Sequence, residues 1–155
     1  MTAIKPFDVD RFVSNPDPKL PVMLVYGPDA GLVRERVDAL VGAGYGSAGE
    51  RCMAISVAVP VGKATADKLI EKLIPRVESL KVGTSLDPAA DFGPLVTQAH
   101  LDKVKAYVDL GVKEGAALKV DGRNFKLQGY EDGFYMGGCL FDNVTENMRI
   151  YQEEI

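Results

Sequence analysis

Two cysteines are the residues of this chain best suited to covalent chemistry, because a thiolate is an effective nucleophile. Cys52 follows the glycine-rich residues 44–49 and has Arg51 beside it. A neighbouring cation or exposed backbone N–H groups lower the pKa of a thiol, so Cys52 is the candidate nucleophile. Spacing alone favours an inert, buried cysteine at this position. Cys139, within a glycine-rich apolar stretch, is interpreted as a core residue.

The single histidine, His100, lies close to neither cysteine in the sequence. Its place on an expected helix, beside Leu101, is typical of a surface or capping histidine. The two cysteines form no metal-spaced cluster, and with His100 they fall short of the four Cys/His ligands of a structural zinc site. We therefore expect no metal site.

Two glycine-rich segments could be mistaken for phosphate-binding loops. Residues 44–49 match the pattern G-x-G-x-x-G, which binds a dinucleotide when a strand precedes it and a helix follows. Here a helix is expected before the glycines and a strand after them, so we interpret the match as chance. Residues 27–31 have the right context but lack the Lys-Ser/Thr pair that grips phosphate and magnesium, which favours a simple turn.

Hydrophobic periodicity predicts the elements that must position these residues. The apolar residues 22–26 predict a strand, residues 32–41 a helix, and residues 42–49 a flexible loop. A longer apolar stripe predicts a helix kinked at Pro75 and stopped by Gly83. Further along, the pattern predicts a β-prone stretch at 53–59, a helix from Thr97 to Gly115, a strand at 118–120, and then loops and short strands.

The 155 residues are enough for one ordinary domain with a real core. A net charge of −4 argues against binding nucleic acid through its phosphates. No apolar run approaches the ~20 residues that span a bilayer, and the first residues lack the apolar stretch of a secretory signal. With only two cysteines, we expect free thiols in a reducing cytoplasm.

The first quarter of the chain resembles the N-terminus of the bacterial DNA polymerase III delta subunit, a clamp-loader component. Residues 1–6, 8–12 and 25–36 carry this resemblance. In that family the segment opens a degenerate nucleotide-binding fold that does not hydrolyse ATP. The absence of a phosphate-loop lysine agrees with this.

The rest of the chain, residues 42–155, resembles part of the catalytic domain of the CoA-acylating methylmalonate-semialdehyde dehydrogenases, a branch of the aldehyde dehydrogenase superfamily. Residues 46–53 look like the segment that carries the family's nucleophile. Later segments follow in the family's order, at residues 92–96, 114–116, 120–123, 141–145 and 153–155.

The dehydrogenase resemblance implies a role for two residues. Cys52 would attack a small aldehyde substrate and form a thioester, with NAD as hydride acceptor and CoA as acyl acceptor. Its backbone N–H would supply half of an oxyanion hole. Glu154 matches the glutamate that holds the nicotinamide ribose of NAD. The family's dinucleotide-binding domain and the other half of its oxyanion hole have no counterpart among the matching residues.

Together these observations predict an α/β fold, with a strand-turn-helix opening followed by a truncated aldehyde dehydrogenase catalytic domain. The expected segments are 1–41, delta-like, and 42–155, dehydrogenase-like. The parent dehydrogenase family is homo-oligomeric, and no nucleic acid or membrane partner is expected. The alternative is a non-catalytic, delta-like or chimeric fragment that joins two unrelated genes.

Overall fold

The structure is a computed structural model that describes residues 22–23, 30–49 and 54–155. Helices and strands follow one another along the chain as the α/β prediction requires. They are β1 (Val22–Met23), α1 (Ala30–Gly44), β2 (Val57–Ala58), α2 (Lys63–Glu78), α3 (Gln98–Glu114), β3 (Ala117–Val120), β4 (Leu140–Asp142) and α4 (Arg149–Gln152). None of the helices within these ranges is long and apolar enough to span a bilayer.

The opening of the described chain is a strand-helix-strand unit. β1 pairs in parallel with β2, with Val22 opposite Val57, and α1 makes the connection. Of the predicted strand 22–26, residues 24–26 lie outside the described residues, as do residues 27–29 of the predicted turn. The β-prone stretch 53–59 contains the two-residue strand β2.

Helix α1 extends three residues beyond the predicted end at Val41. Residues 42–44, predicted to be flexible, are helical. Glycine disfavours a helix interior by roughly 1 kcal/mol relative to alanine, yet packing of an apolar face overrides that preference. Here Val37, Leu40 and Val41 are buried against α2.

Helix α2 continues through Pro75 to Glu78. Pro75 lies in the last turn, so the missing N–H affects a single intrahelical hydrogen bond and the helix ends soon afterwards. The predicted stop at Gly83 is wrong: the helix closes at Ser79, whose N–H donates to the Pro75 carbonyl at 3.1 Å.

Helix α3 begins and ends where the sequence predicts. The Thr97 hydroxyl caps its first turn by accepting a hydrogen bond from the His100 backbone N–H at 3.2 Å. Gly115 ends it in the left-handed conformation, with φ of 101°. Both are local signals that need no tertiary contact.

Strands β3 and β4 pair antiparallel, with Leu118 opposite Phe141 and an irregularity before Val120. Three apolar clusters form the core of the described chain. The first joins α1 and α2, the second joins α3 to the segments around Leu95 and Met136, and the third lies around Phe92.

Candidate active site

Cys52, the predicted nucleophile, lies outside the described residues. The structure describes the segment that leads to it, residues 45–49, and the helix that packs on that segment. Helix α1 precedes these residues and β2 follows them. The reversed context expected for the G-x-G-x-x-G pattern is therefore confirmed, because no helix begins at these glycines.

Tyr45 anchors the start of this segment. Its hydroxyl donates a 2.7 Å hydrogen bond to the backbone carbonyl of Cys139, near the other end of the chain. Burial, together with the nearby Cys139, raises the pKa of Tyr45 well above its ordinary value, so the phenol stays neutral and remains a donor. Gly138 leaves room for this contact, because a Cβ there would lie 3.2 Å from the Tyr45 ring.

The end of the segment rests on α3. Gly49 has φ of +79°, a left-handed conformation that disfavours any side chain. A Cβ on Gly49 would lie 3.1 Å from Nε2 of His100 and 3.3 Å from Cγ2 of Val104. Ala48, one residue earlier, packs against the second and third clusters. Residues 45–49 are therefore held at both ends.

His100 is half-buried rather than a surface residue. The cap at this helix start is the Thr97 hydroxyl, and the His100 backbone donates to it. The imidazole Nε2 is buried and has no hydrogen-bond partner among the described residues. The structure thus brings the single histidine of the chain against the segment that leads to Cys52, although the two are far apart in sequence.

Cys139 occupies the packed position that the sequence predicts. It is half-buried against the second cluster, and its Sγ accepts a 3.3 Å hydrogen bond from the Gly122 N–H. Burial raises the pKa of the Cys139 thiol, and the Gly122 hydrogen bond opposes that shift. A thiol that resists ionisation is a poor nucleophile near neutral pH.

Glu154, predicted to bind the cofactor ribose, follows the short helix α4 and is exposed. Its neighbour Glu153 accepts hydrogen bonds from Arg149 Nε at 2.8 Å and from the Tyr107 hydroxyl of α3. The Glu153 contacts tie the end of α4 to α3. Within the described residues, no three His, Cys, Asp or Glu side chains lie close enough together to share a metal ion.

Comparison with known proteins identifies the class. The model of the aldehyde dehydrogenase family matches residues 24–155. The chain is 56% identical over 128 residues to the malonate-semialdehyde dehydrogenase of Pseudomonas aeruginosa, covering 83% of this chain and 26% of that protein. It is 43% identical over 128 residues to the human acylating methylmalonate-semialdehyde/malonate-semialdehyde dehydrogenase, covering 83% of this chain and 23% of that protein.

A solved structure gives the same result. A crystal structure described as a methylmalonate-semialdehyde dehydrogenase from Sinorhizobium meliloti, complexed with NAD, superposes with a TM-score of 0.78 at 55% identity. The superposition covers 85% of this chain and 26% of that one. The chain belongs to the aldehyde dehydrogenase family, and it spans about a quarter of the length of these relatives.

Sequence reasoning missed three features of this site: the Tyr45 anchor, the His100 contact and the left-handed conformation of Gly49. The anchor and the contact join residues that are distant in the chain, so no local pattern marks them. Gly49 could have been found from the sequence, because it is the last glycine before the candidate nucleophile. The glycine-rich composition of residues 42–49 predicted only a flexible loop there.

Proposed function

We propose that this chain carries the nucleophile segment of an NAD- and CoA-dependent dehydrogenase that oxidises malonate semialdehyde or methylmalonate semialdehyde. The observation that carries the proposal is the 56% identity to a malonate-semialdehyde dehydrogenase, which extends over 83% of this chain. The name of the human relative supports the acylating step. The NAD complex of the Sinorhizobium structure supports the cofactor.

In this proposal Cys52 is the nucleophile. Its thiolate attacks the aldehyde carbon and gives a tetrahedral hemithioacetal, whose oxygen is stabilised by the Cys52 backbone N–H as half of an oxyanion hole. One such donor typically contributes ~10²–10³ in rate. Loss of a hydride from the same carbon leaves a thioester on the cysteine sulfur. Attack by the CoA thiolate then releases acyl-CoA and restores the cysteine, and a malonate-type acyl group also loses carbon dioxide.

NAD supplies the hydride acceptor when it is bound. Glu154 would hold the nicotinamide ribose, and its environment fits that role, because the carboxylate is exposed and has no hydrogen-bond partner among the described residues. A carboxylate is a suitable acceptor for ribose hydroxyls. The proposal also includes self-association and a reducing, cytoplasmic setting, with the free thiol of Cys139 in support of the latter.

The resemblance of residues 1–41 to the delta subunit stays a prediction, as does the boundary between residues 41 and 42. The family match begins at residue 24, ahead of that boundary. The alternative of a non-catalytic, chimeric fragment gains no support from the relatives, and we propose no clamp-loader function.

A haloaldehyde such as chloroacetaldehyde tests the nucleophile, because it combines the substrate's carbonyl group with an electrophilic carbon. The chain is treated at neutral pH, and peptide mass spectrometry follows the rate at each cysteine. We expect Cys52 to be alkylated faster than Cys139, since burial opposes ionisation of the latter. Cys139→Ser is the matched control and should leave the Cys52 rate unchanged. Equal rates at the two cysteines would overturn the assignment of Cys52.

A further inference from the structure

The carboxylate of Glu153, the residue directly before Glu154, is held by hydrogen bonds from two helices. Arg149 of α4 donates to it through Nε at 2.8 Å and through Nη2 at 3.0 Å. The Tyr107 hydroxyl of α3 donates to the same carboxylate. These bonds, the pair from Arg149 first, lower the pKa of Glu153 to about 2. The carboxylate is therefore ionised near neutral pH and accepts from both partners.

Tyr107 is carried by a rigid element. It lies in the third turn of α3, whose two ends are capped by Thr97 and Gly115, and the next residue, Val108, is buried in the second cluster. The hydrogen bond to Glu153 raises the pKa of the Tyr107 phenol, which therefore stays protonated and able to donate. A donor on a capped, packed helix holds its acceptor more accurately than one on a loop.

Helix α4 depends on α3 for its placement. With four residues it is too short to be stable without tertiary contacts. The Glu114 carboxylate of α3 accepts a 2.9 Å hydrogen bond from the Arg149 N–H at the start of α4. The side chain of Ile150 packs against Gly111, with its Cδ1 2.9 Å from the position of a Cβ there. These contacts fix the beginning and the middle of α4.

The Tyr107 hydrogen bond fixes the other end of α4, where the chain leaves the helix. The Glu153 N–H donates to the Arg149 carbonyl at 2.9 Å, and the backbone of Glu153 then becomes extended, with φ of −116° and ψ of 148°. Glu154 follows immediately, and consecutive Cα atoms are ~3.8 Å apart. A displacement of Glu153 is therefore passed directly to Glu154.

We propose that Tyr107 is a positioning residue for Glu154, an inference that rests on the ribose role in the proposed function. The Tyr107 hydroxyl fixes Glu153, and through it the backbone that carries the Glu154 side chain. Tyr107 acts through Glu153 and makes no bond to the cofactor. An acceptor that is already in place loses less conformational freedom when a ribose binds, so the affinity rises.

The test removes one hydroxyl group from the full chain. Tyr107→Phe deletes the donor and keeps the ring, over which the Arg149 guanidinium carbon lies 5.9 Å from the centre. Tyr151→Phe is the matched control, because Tyr151 belongs to α4, is exposed, and has no hydrogen bond from its hydroxyl to a described residue. Far-UV circular dichroism and the urea midpoint report whether each variant is folded.

Nuclear magnetic resonance of the isotopically labelled chain gives two measurements at Glu154. The first is the order parameter of its backbone amide, which needs no ligand. The second is the change of its amide shift on titration with nicotinamide mononucleotide, which carries the nicotinamide ribose. Nicotinamide, which lacks the ribose, is the control ligand.

In Tyr107→Phe we expect the order parameter of Glu154 to fall from about 0.85 to below about 0.6. The apparent Kd for nicotinamide mononucleotide should rise about threefold, because only the fraction with Glu154 in place is competent to bind. Ile150, which is fixed by its own contact with Gly111, should keep the order parameter of the parent. Tyr151→Phe should match the parent in every measurement.

Two results would overturn the positioning role. One is an unchanged order parameter and affinity at Glu154 in folded Tyr107→Phe. The other is an equal loss of order at Ile150 and Glu154, since Tyr107 would then merely hold α4 as a whole. Should Tyr107→Phe fail to fold, Glu153→Gln decides, because it weakens the same hydrogen bond without altering α3. Loss of order confined to the residues after α4 supports the role, and unchanged order contradicts it.

The proposed ribose role fails separately from this inference. If the Glu154 amide of the parent chain does not respond to nicotinamide mononucleotide, or responds equally to nicotinamide, the ribose role is lost whatever the variants do. A response specific to the ribose that is insensitive to Tyr107→Phe removes the positioning role alone.

Discussion

At the scale of single residues, the pKa of the Glu153 carboxylate lies well below its ordinary value. Hydrogen bonds from Arg149, and then from Tyr107, lower its pKa to about 2. Arg149 also lies over the Tyr107 ring, with the guanidinium carbon 5.9 Å from the ring centre. These groups are near the surface, so their contribution to stability is small and is screened by salt.

The lowered pKa of Glu153 predicts a pH dependence with a definite sign. A carboxylate whose pKa is lower in the folded state stabilises that state above its unfolded pKa of 4.5, and this stabilisation is lost as the pH falls towards 2. The free energy of unfolding of Glu153→Gln should therefore lie below that of the parent at pH 6 and converge with it as the pH falls from about 4.5 to about 2. Urea titrations at low salt over this range provide the measurement.

Glu146→Gln is the control for this titration, because the Glu146 side chain is exposed and forms no hydrogen bond to a described residue. It should track the parent at every pH. A Glu153→Gln deficit that stays constant between pH 6 and pH 2 would contradict the ion-pair origin of the shift.

At the scale of elements, local signals predicted some boundaries and tertiary contacts set the others. Thr97 and Gly115 act within one turn of helix α3, so the sequence alone located both of its ends. The glycines at 42–44 predicted a loop, but packing of Leu40 and Val41 against α2 extends helix α1 through them. Spacing alone favoured an inert Cys52, and only the family resemblance made it the candidate nucleophile. The His100–Gly49 contact depends on how α3 packs against residues 45–49, which no local pattern shows.

Two helical glycines differ in what surrounds them. Replacing each of them by alanine should therefore change the free energy of unfolding in opposite directions. A Cβ on Gly111 of α3 would come within 2.9 Å of Ile150 Cδ1 and of the Phe141 ring, whereas a Cβ on Gly42 of α1 meets nothing within 4 Å. Gly111→Ala should lower the free energy of unfolding by about 1–3 kcal/mol, because the Phe141 ring is packed in the second cluster and must move. Gly42→Ala should raise it by about 0.4–1 kcal/mol through backbone entropy.

Urea denaturation of the two glycine variants and the parent measures both effects, and each variant is the control for the other. Stabilisation by Gly111→Ala would show that α3 and β4 do not approach as closely as described. Destabilisation by Gly42→Ala would contradict the helical conformation of that residue.

At the scale of the whole molecule, the described segments share one core. Strand β4 joins two clusters, because Leu140 packs against the first while its neighbours Cys139 and Phe141 pack against the second. Ala48 joins the second cluster to the third. The predicted boundary between residues 41 and 42 falls inside helix α1, and β1 pairs with β2 across it. Whatever the origin of the sequence, residues on both sides of that boundary fold together.

A shared core predicts one cooperative unfolding transition, and Leu73→Ala tests it. Leu73 is buried in the first cluster, and its truncation should lower the free energy of unfolding by about 2–5 kcal/mol. In a Cys52→Ser background, thiol accessibility reports on Cys139 in the second cluster, while far-UV circular dichroism reports on the helices. Both urea midpoints should fall together in Leu73→Ala and stay unchanged in Leu86→Ala, whose side chain is 90% exposed. A Cys139 midpoint that does not move while the helices unfold earlier would mean that the clusters unfold independently, and that a change in α2 does not reach Cys139, whose carbonyl anchors Tyr45.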